Sequence, residues 1–168
     1  MTVLDEIEAA IPALRRFAHG MMRNRDAADD LVQDVLERAV ARSRDWRGDG
    51  SVSAWLYRIM LNRSRDIRRA GATRPHLVPV DSIAEPARPG NQESHLDLRE
   101  VHEAMGRLPD DQRAAILLVA VEGLTLAQAA RALGLPAGTV ASRIGRGREA
   151  LRQMTGRTGG TGGKQELR

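Results

Sequence analysis

Apolar residues recur every three or four positions through the first quarter of the chain. From Leu4 to Met22 the stripe is Leu4, Ile7, Ile11, Leu14, Phe17 and Ala18, the spacing of one face of an α-helix. From Asp26 to Arg42 it is Ala28, Leu31, Val32, Val35, Leu36, Ala39 and Val40. Asp26 fits a helix N-cap there, and Asp29 and Asp30 suit the positive end of the helix dipole. The stretch Arg47-Gly48-Asp49-Gly50-Ser51 breaks the period and reads as a loop. A third helix is predicted over about Val52 to Arg69, with Trp55, Leu56, Ile59, Met60 and Ile67 facing inward.

Periodicity vanishes from Gly71 to about His95, a stretch holding four of the seven prolines: Pro75, Pro79, Pro86 and Pro89. So long a connection is unusual inside one compact domain, so the pattern predicts two domains and a linker. Helices resume at about Leu96 to Arg107, then from Pro109 or Asp110 to Glu122, followed by two shorter helical patterns. The expectation is an all-α chain. Two small helical domains, 1–70 and 96–155, are joined by a flexible Pro-rich linker, 71–95, and followed by a Gly-rich tail, 156–168, expected to be disordered.

Composition agrees with helices. Of the 168 residues 42% are apolar, yet the aromatics are only Phe17, Trp46, Trp55 and Tyr57, so the core must be built from Leu, Val, Ile, Ala and Met. Lys and Arg total 26 against 22 Asp and Glu, a net +4 that makes the distribution of charge more informative than its sum. Without cysteine there is no disulfide and no thiolate metal site. No apolar signal core and no membrane-spanning run is evident, so a cytoplasmic protein without membrane insertion is expected.

The clearest motif begins at Thr125. Thr125-Leu-Ala-Gln128 fits a capping box, in which the hydroxyl caps the helix and the glutamine reaches back. Ala129, Ala130 and Leu133 continue the apolar face, and Gly134 suits a tight turn. Pro136 suits the first position of the next helix. There Val140, Ile144, Gly147 and Leu151 form the inward stripe, while Thr139, Ser142, Arg143 and Arg146 lie opposite, flanked by Arg148 and Arg152. Arginine-rich faces alone are common solvated surfaces. The capped helix, glycine turn and second helix together make a helix-turn-helix, whose second helix can read guanine and hold phosphates in duplex DNA.

Two other faces carry charge. The second helix presents Asp29, Asp30, Gln33, Asp34 and Glu37, which taken alone is most simply a solvated ridge. The third presents Arg58, Arg63, Arg65, Arg68 and Arg69, with Asn62 among them, and could hold nucleic-acid backbone. Trp55 lies on the apolar stripe and is read as packing. His19, His76, His95 and His102 are scattered; His95 and His102 could share a face but lack a third ligand. With no phosphate loop and no nucleophile motif, the chain is not expected to be an enzyme, and no cofactor or metal is expected.

These pieces, in this order, resemble bacterial RNA polymerase sigma factors of the extracytoplasmic-function (ECF) type within the sigma-70 family. The resemblance rests on DAADDLVQDVLERAV (Asp26 to Val40), SAWLYRIMLNRSRDIRR (Ser53 to Arg69), the segment from Arg107 to Leu151, and the Pro-rich gap. It implies a sigma factor that binds core RNA polymerase and directs promoter-specific initiation. Residues Asp30, Gln33, Asp34 and Glu37 would dock on polymerase. Arg47, Asp49, Ser51, Arg58, Asn62, Arg63 and Arg65 would bind the minus-ten element as it melts. Thr139, Ser142, Arg143, Arg146 and Arg148 would bind the minus-thirty-five element as duplex. The partners implied are core polymerase, promoter DNA and an anti-sigma protein, with the free chain a monomer.

Against the family pattern, Ala141 stands where many members carry lysine, and Gly145 where they carry histidine or a larger residue. The segment SAWL lacks the aromatic often found before it. Two rival readings remain: a sigma-mimicking adaptor that sequesters an anti-sigma protein, and a stand-alone helix-turn-helix regulator. A mimic has no need of Arg143, Arg146 or the run Arg63 to Arg69, and a regulator none of the acidic helix and the gap.

Overall fold

The structure, a computed structural model, describes residues 1–22, 24–48, 50–72 and 92–156, with side chains left undescribed at 72 and 92–97. Seven α-helices and no strand occur among the described residues: α1 (Val3–Met21), α2 (Arg25–Arg42), α3 (Val52–Ala72), α4 (Gln92–Arg107), α5 (Asp110–Ile116), α6 (Leu126–Leu133) and α7 (Ala137–Thr155). A short 3-10 turn, Ser43–Asp45, follows α2, and α5 runs on as a π-helical turn, Leu117–Val121. The core of the Pro-rich segment, 73–91, and the tail beyond Gly156 lie outside the described residues, as does Asp49.

Helices α1, α2 and α3 pack on one another around Leu14, Phe17, Leu31, Val35, Leu56 and Met60, all fully buried. Phe17 meets Tyr57 edge-on at 5.1 Å within that core. Thr2 closes a capping box on α1 with Asp5. On α2 the cap is Asn24 rather than Asp26: its side-chain oxygen accepts from the N–H groups of Asp26 at 2.8 Å and Ala27 at 3.2 Å. Asp26 thereby becomes a first-turn acid. Leu4 and Val40, predicted as core, are each 52% exposed because they lie at the edges of stripes whose centres are buried.

In the second group, α5 and α6 both pack against α7. The capping box at Thr125 forms as expected, Thr125 N–H donating to Gln128 Oε1 at 2.8 Å and Gln128 N–H to Thr125 Oγ1 at 3.2 Å. Gly134 ends α6 in the left-handed region, φ 66°, so that Leu135 N–H reaches Ala130 O and Gly134 N–H reaches Arg131 O. Pro136 is the residue just before α7, one place earlier than expected; its carbonyl accepts from Thr139 and Val140. Gly147 lets α7 approach α5: a Cβ there would stand 2.6 Å from Ile116 Cδ1. No such neighbour lies within 4 Å at Gly145, and nothing in the structure explains that glycine.

The two helical groups are in contact, and their buried residues form one continuous core. α6 rests on α3, and α1 meets α4, α5 and the π-helical turn. Gly20 in α1 faces Leu117 so closely that a Cβ would lie 2.8 Å from both of its δ carbons. Arg113, only 3% exposed, donates to the carbonyls of Met105, Gly106 and Leu108 in its own group and, at 2.9 Å, to Met21 at the end of α1. Arg16 pairs at 2.9 Å with Glu122, whose side chain is 1% exposed.

Candidate nucleic-acid and polymerase interfaces

On α2, Asp30, Gln33 and Glu37 are exposed, Gln33 Nε2 donating to Glu37 Oε1 at 3.2 Å. Asp34 departs from the open ridge expected of all four. It is half-buried, accepts from Arg38 Nε at 2.9 Å, and pairs with Arg63 of α3. Burial opposes its ionisation, but hydrogen bonds from Arg38 and Arg63 and their charges prevail and hold its carboxyl below the usual range. Asp34 therefore ties α2 to α3. Asp29 pairs with His19 at 3.2 Å.

Along α3, Arg58, Asn62 and Arg65 are exposed, whereas Arg63 is half-buried against Asp34. Arg68 pairs with Asp110, the first residue of α5. The Arg58 guanidinium lies by the C-terminus of α6, 3.2 Å from where a Gly134 Cβ would stand, close to the negative end of that helix. Ahead of α3, Arg47 and Ser51 are exposed, and the Ser51 hydroxyl accepts from Ala54 N–H at 3.2 Å, capping the helix. Trp46 and Trp55 pair at 5.0 Å, which fastens this loop to α3 and agrees with packing as the role of Trp55.

On α7, Ser142, Arg146 and Arg148 are exposed, with Arg146 donating to Ser142 Oγ at 2.8 Å. Thr139 is half-buried. Arg143 is not on the open face assigned to it by spacing: it is half-buried and pairs at 3.2 Å with Asp111 in the first turn of α5. Ala141 and Gly145 are exposed on this helix, adding no charge.

The residues that join the two groups escaped the sequence reading. Arg113 carried a signal, since it lies one turn before Ile116 and Leu117 on a buried face. Arg16, Tyr57 and Glu122 carried none. The Tyr57 phenol is raised well above the usual tyrosine range, first by burial and then by the neighbouring Glu122 carboxylate, against a lowering effect of Arg16. Among the described residues, no group of three His, Asp or Glu could hold a metal ion, and no helix is long and apolar enough to cross a membrane.

Among the described residues the chain is all-helical, with a capped helix-turn-helix packed against a three-helix group that bears acidic and basic faces, an arrangement suited to binding nucleic acid and a protein partner. Residues 7–61 match the family described as the Sigma2 domain of PhyR, and residues 98–151 match Sigma-70, region 4. The chain is 39% identical over 151 residues to the ECF RNA polymerase sigma factor EcfG of Rhodopseudomonas palustris, covering 88% of this chain and 81% of that one. It is 35% identical to SigM of Mycobacterium tuberculosis, covering 85% and 71%. Among solved structures it is similar to the sigma factor RpoE of Bartonella quintana in complex with the anti-sigma factor NepR. That match has a TM-score of 0.69 and 33% identity, covering 89% of this chain and 94% of that one. CnrH, solved with the cytosolic domain of CnrY, matches with TM-score 0.67 and 28% identity over 90% and 86%. The chain belongs to the ECF family of RNA polymerase sigma factors.

Proposed function

We propose that the chain binds core RNA polymerase through α2 and directs it to promoters read at two places. The exposed faces of α3 and its preceding loop take the melting minus-ten element, and α7 takes the minus-thirty-five element as duplex. The observation that carries this reading is the pair of outward faces in a chain of this family. Asp30, Gln33 and Glu37 point away from the core on α2, and Ser142, Arg146 and Arg148 do so on α7. Each half touches few base pairs, so affinity comes from polymerase holding both at once. The chain acts without catalysis of its own, in the cytoplasm, and an anti-sigma protein restrains it, as NepR and CnrY accompany its structural relatives. Its domains are 1–70 and 96–155, joined by 71–95. Arg143 and Arg63 reach DNA after exchanging Asp111 and Asp34 for phosphate.

The match of residues 7–61 to the PhyR domain favours a second reading, a sigma-like decoy for an anti-sigma protein. One experiment separates them. Purified chain added to core polymerase on a library of promoter fragments yields discrete transcripts if it is a sigma factor. Absence of any transcript, with an anti-sigma protein still bound, would establish the decoy.

A further inference from the structure

Two arginines placed to meet DNA are each held by a carboxylate from a neighbouring helix of their own group. In the C-terminal group, Gly147 brings α7 so close to α5 that a Cβ there would stand 3.3 Å from Gln112 Cβ. One turn back along α7, Arg143 lies beside the first turn of α5, and its Nε is 3.2 Å from Asp111 Oδ2. The other oxygen, Asp111 Oδ1, accepts from Gln112 N–H at 2.9 Å, so the backbone holds the carboxylate in place. In the N-terminal group Asp34 of α2 does the same for Arg63 of α3, and is itself fixed by Arg38 Nε at 2.9 Å. Their basic neighbours differ. Arg65, Arg146 and Arg148 are exposed and form no ion pair among the described residues, and Arg146 rests on the uncharged Ser142 hydroxyl.

To a guanidinium, a phosphate and a carboxylate offer the same thing: anionic oxygens at hydrogen-bond distance. Arg63 and Arg143 therefore reach a phosphate only by giving up an anion already bound, and the exchange adds little net affinity. Phosphate contacts supply essentially all of the non-specific binding of DNA, whereas base contacts specify. We infer that Asp34 and Asp111 are internal competitors for DNA phosphate, one in each DNA-binding group, and that they raise promoter selectivity by withholding two arginines from the non-specific grip while leaving Arg146 and Arg148 available. This rests on the function proposed above. Fold stability is a poor account of the Asp111 pair, because side chains 22% and 43% exposed sit where ion pairs contribute little to folding.

Removing each negative charge in place tests this. For the free chain on a mixed-sequence DNA duplex, Asp111→Asn should steepen the slope of log K against log salt by about 0.9, the value for one added phosphate contact. On a mixed-sequence single strand, Asp34→Asn should steepen it by about 0.7. At 0.1 M salt these slopes correspond to roughly eightfold and fivefold tighter binding. Adding Arg143→Ala or Arg63→Ala to the respective variant should abolish the rise. Glu8→Gln, which removes one exposed charge on α1, controls for net charge and should move either slope less than half as far. With core polymerase, Asp111→Asn should lower the ratio of transcript from promoter fragments to transcript from random fragments by about threefold or more. A wild-type slope in either folded variant, an equal rise in Glu8→Gln, a rise that survives loss of the arginine, or unchanged selectivity would each overturn the inference. Circular dichroism reports whether each variant is folded; should Asp34→Asn be unfolded, the Asp111 arm decides alone. A wild-type chain that gives no transcript with core polymerase would instead overturn the sigma-factor reading, with the slopes still deciding the competition for phosphate.

Discussion

Two glycines in α7, two positions apart, should respond in opposite directions to the same substitution. Replacing an interior helical glycine by alanine gains about 1 kcal/mol, because the unfolded chain loses freedom and the helix gains propensity. At Gly145 nothing lies within 4 Å of the new Cβ, so Gly145→Ala should realise the whole gain. For a chain of this length that raises Tm by roughly 2–4 °C. At Gly147 the Cβ would meet Ile116 Cδ1 at 2.6 Å and Gln112 Cβ at 3.3 Å. The Ile116 methyl can swing aside, but the Gln112 Cβ is fixed to the backbone of α5. Overpacking of this kind costs about 1–3 kcal/mol, which cancels or exceeds the propensity gain. Gly147→Ala should therefore melt at or below the wild type and at least ~2 °C below Gly145→Ala. Thermal unfolding followed by circular dichroism measures both. Equal stabilisation by the two substitutions would refute the claim that α7 and α5 are in contact at Gly147. The Gly145 variant also reports on function: higher stability with lower promoter activity would show that the glycine is there to let DNA approach.

Three further outcomes are expected. Arg113→Ala removes a buried guanidinium from four carbonyls and should cost about 3–5 kcal/mol in urea unfolding, whereas a loss under ~1 kcal/mol would mean those carbonyls are solvated instead. Asp34→Asn should destabilise the chain at neutral pH. Because the folded carboxyl titrates below its unfolded value of 3.8, the difference from wild type should shrink as pH falls below that value, as read from urea midpoints against pH. A constant difference down to acid would show that Arg38 and Arg63 do not stabilise the ionised form. The phenol of Tyr57 is raised above 10.0, so the folded state holds a proton that the unfolded state releases first, and wild-type stability should fall as pH rises past that value. Tyr57→Phe should flatten that alkaline limb; an unaltered limb would place Tyr57 in solvent.

The helices, their caps and their order were written in local pattern. A period of 3.6 residues, the capping box at Thr125 and the glycine at 134 act over a few positions, so α1, α2, α3, α6 and α7 were legible within a residue or two at most termini. Spacing places the cap of α2 two residues late, at Asp26, because it shows where the apolar stripe begins and not which side chain accepts from the first-turn N–H groups, a role that falls to Asn24. Charge type was equally legible: the acidic face of α2 and the basic faces of α3 and α7 follow from composition at helical spacing.

Which of those charges are open was decided by tertiary structure. Asp34 and Arg63 are 29 residues apart, and Asp111 and Arg143 lie on different helices; each pair meets only because of how the helices cross. The π-helical turn after α5 carries the chain to Glu122, whose carboxylate meets Arg16 from a position 106 residues earlier. Periodicity reports which face of a helix avoids water, but not which partner covers it. The two groups of helices were therefore readable as separate units, while the seam that joins them, made of one glycine, one buried arginine and one buried glutamate, depended on contacts that no local pattern encodes.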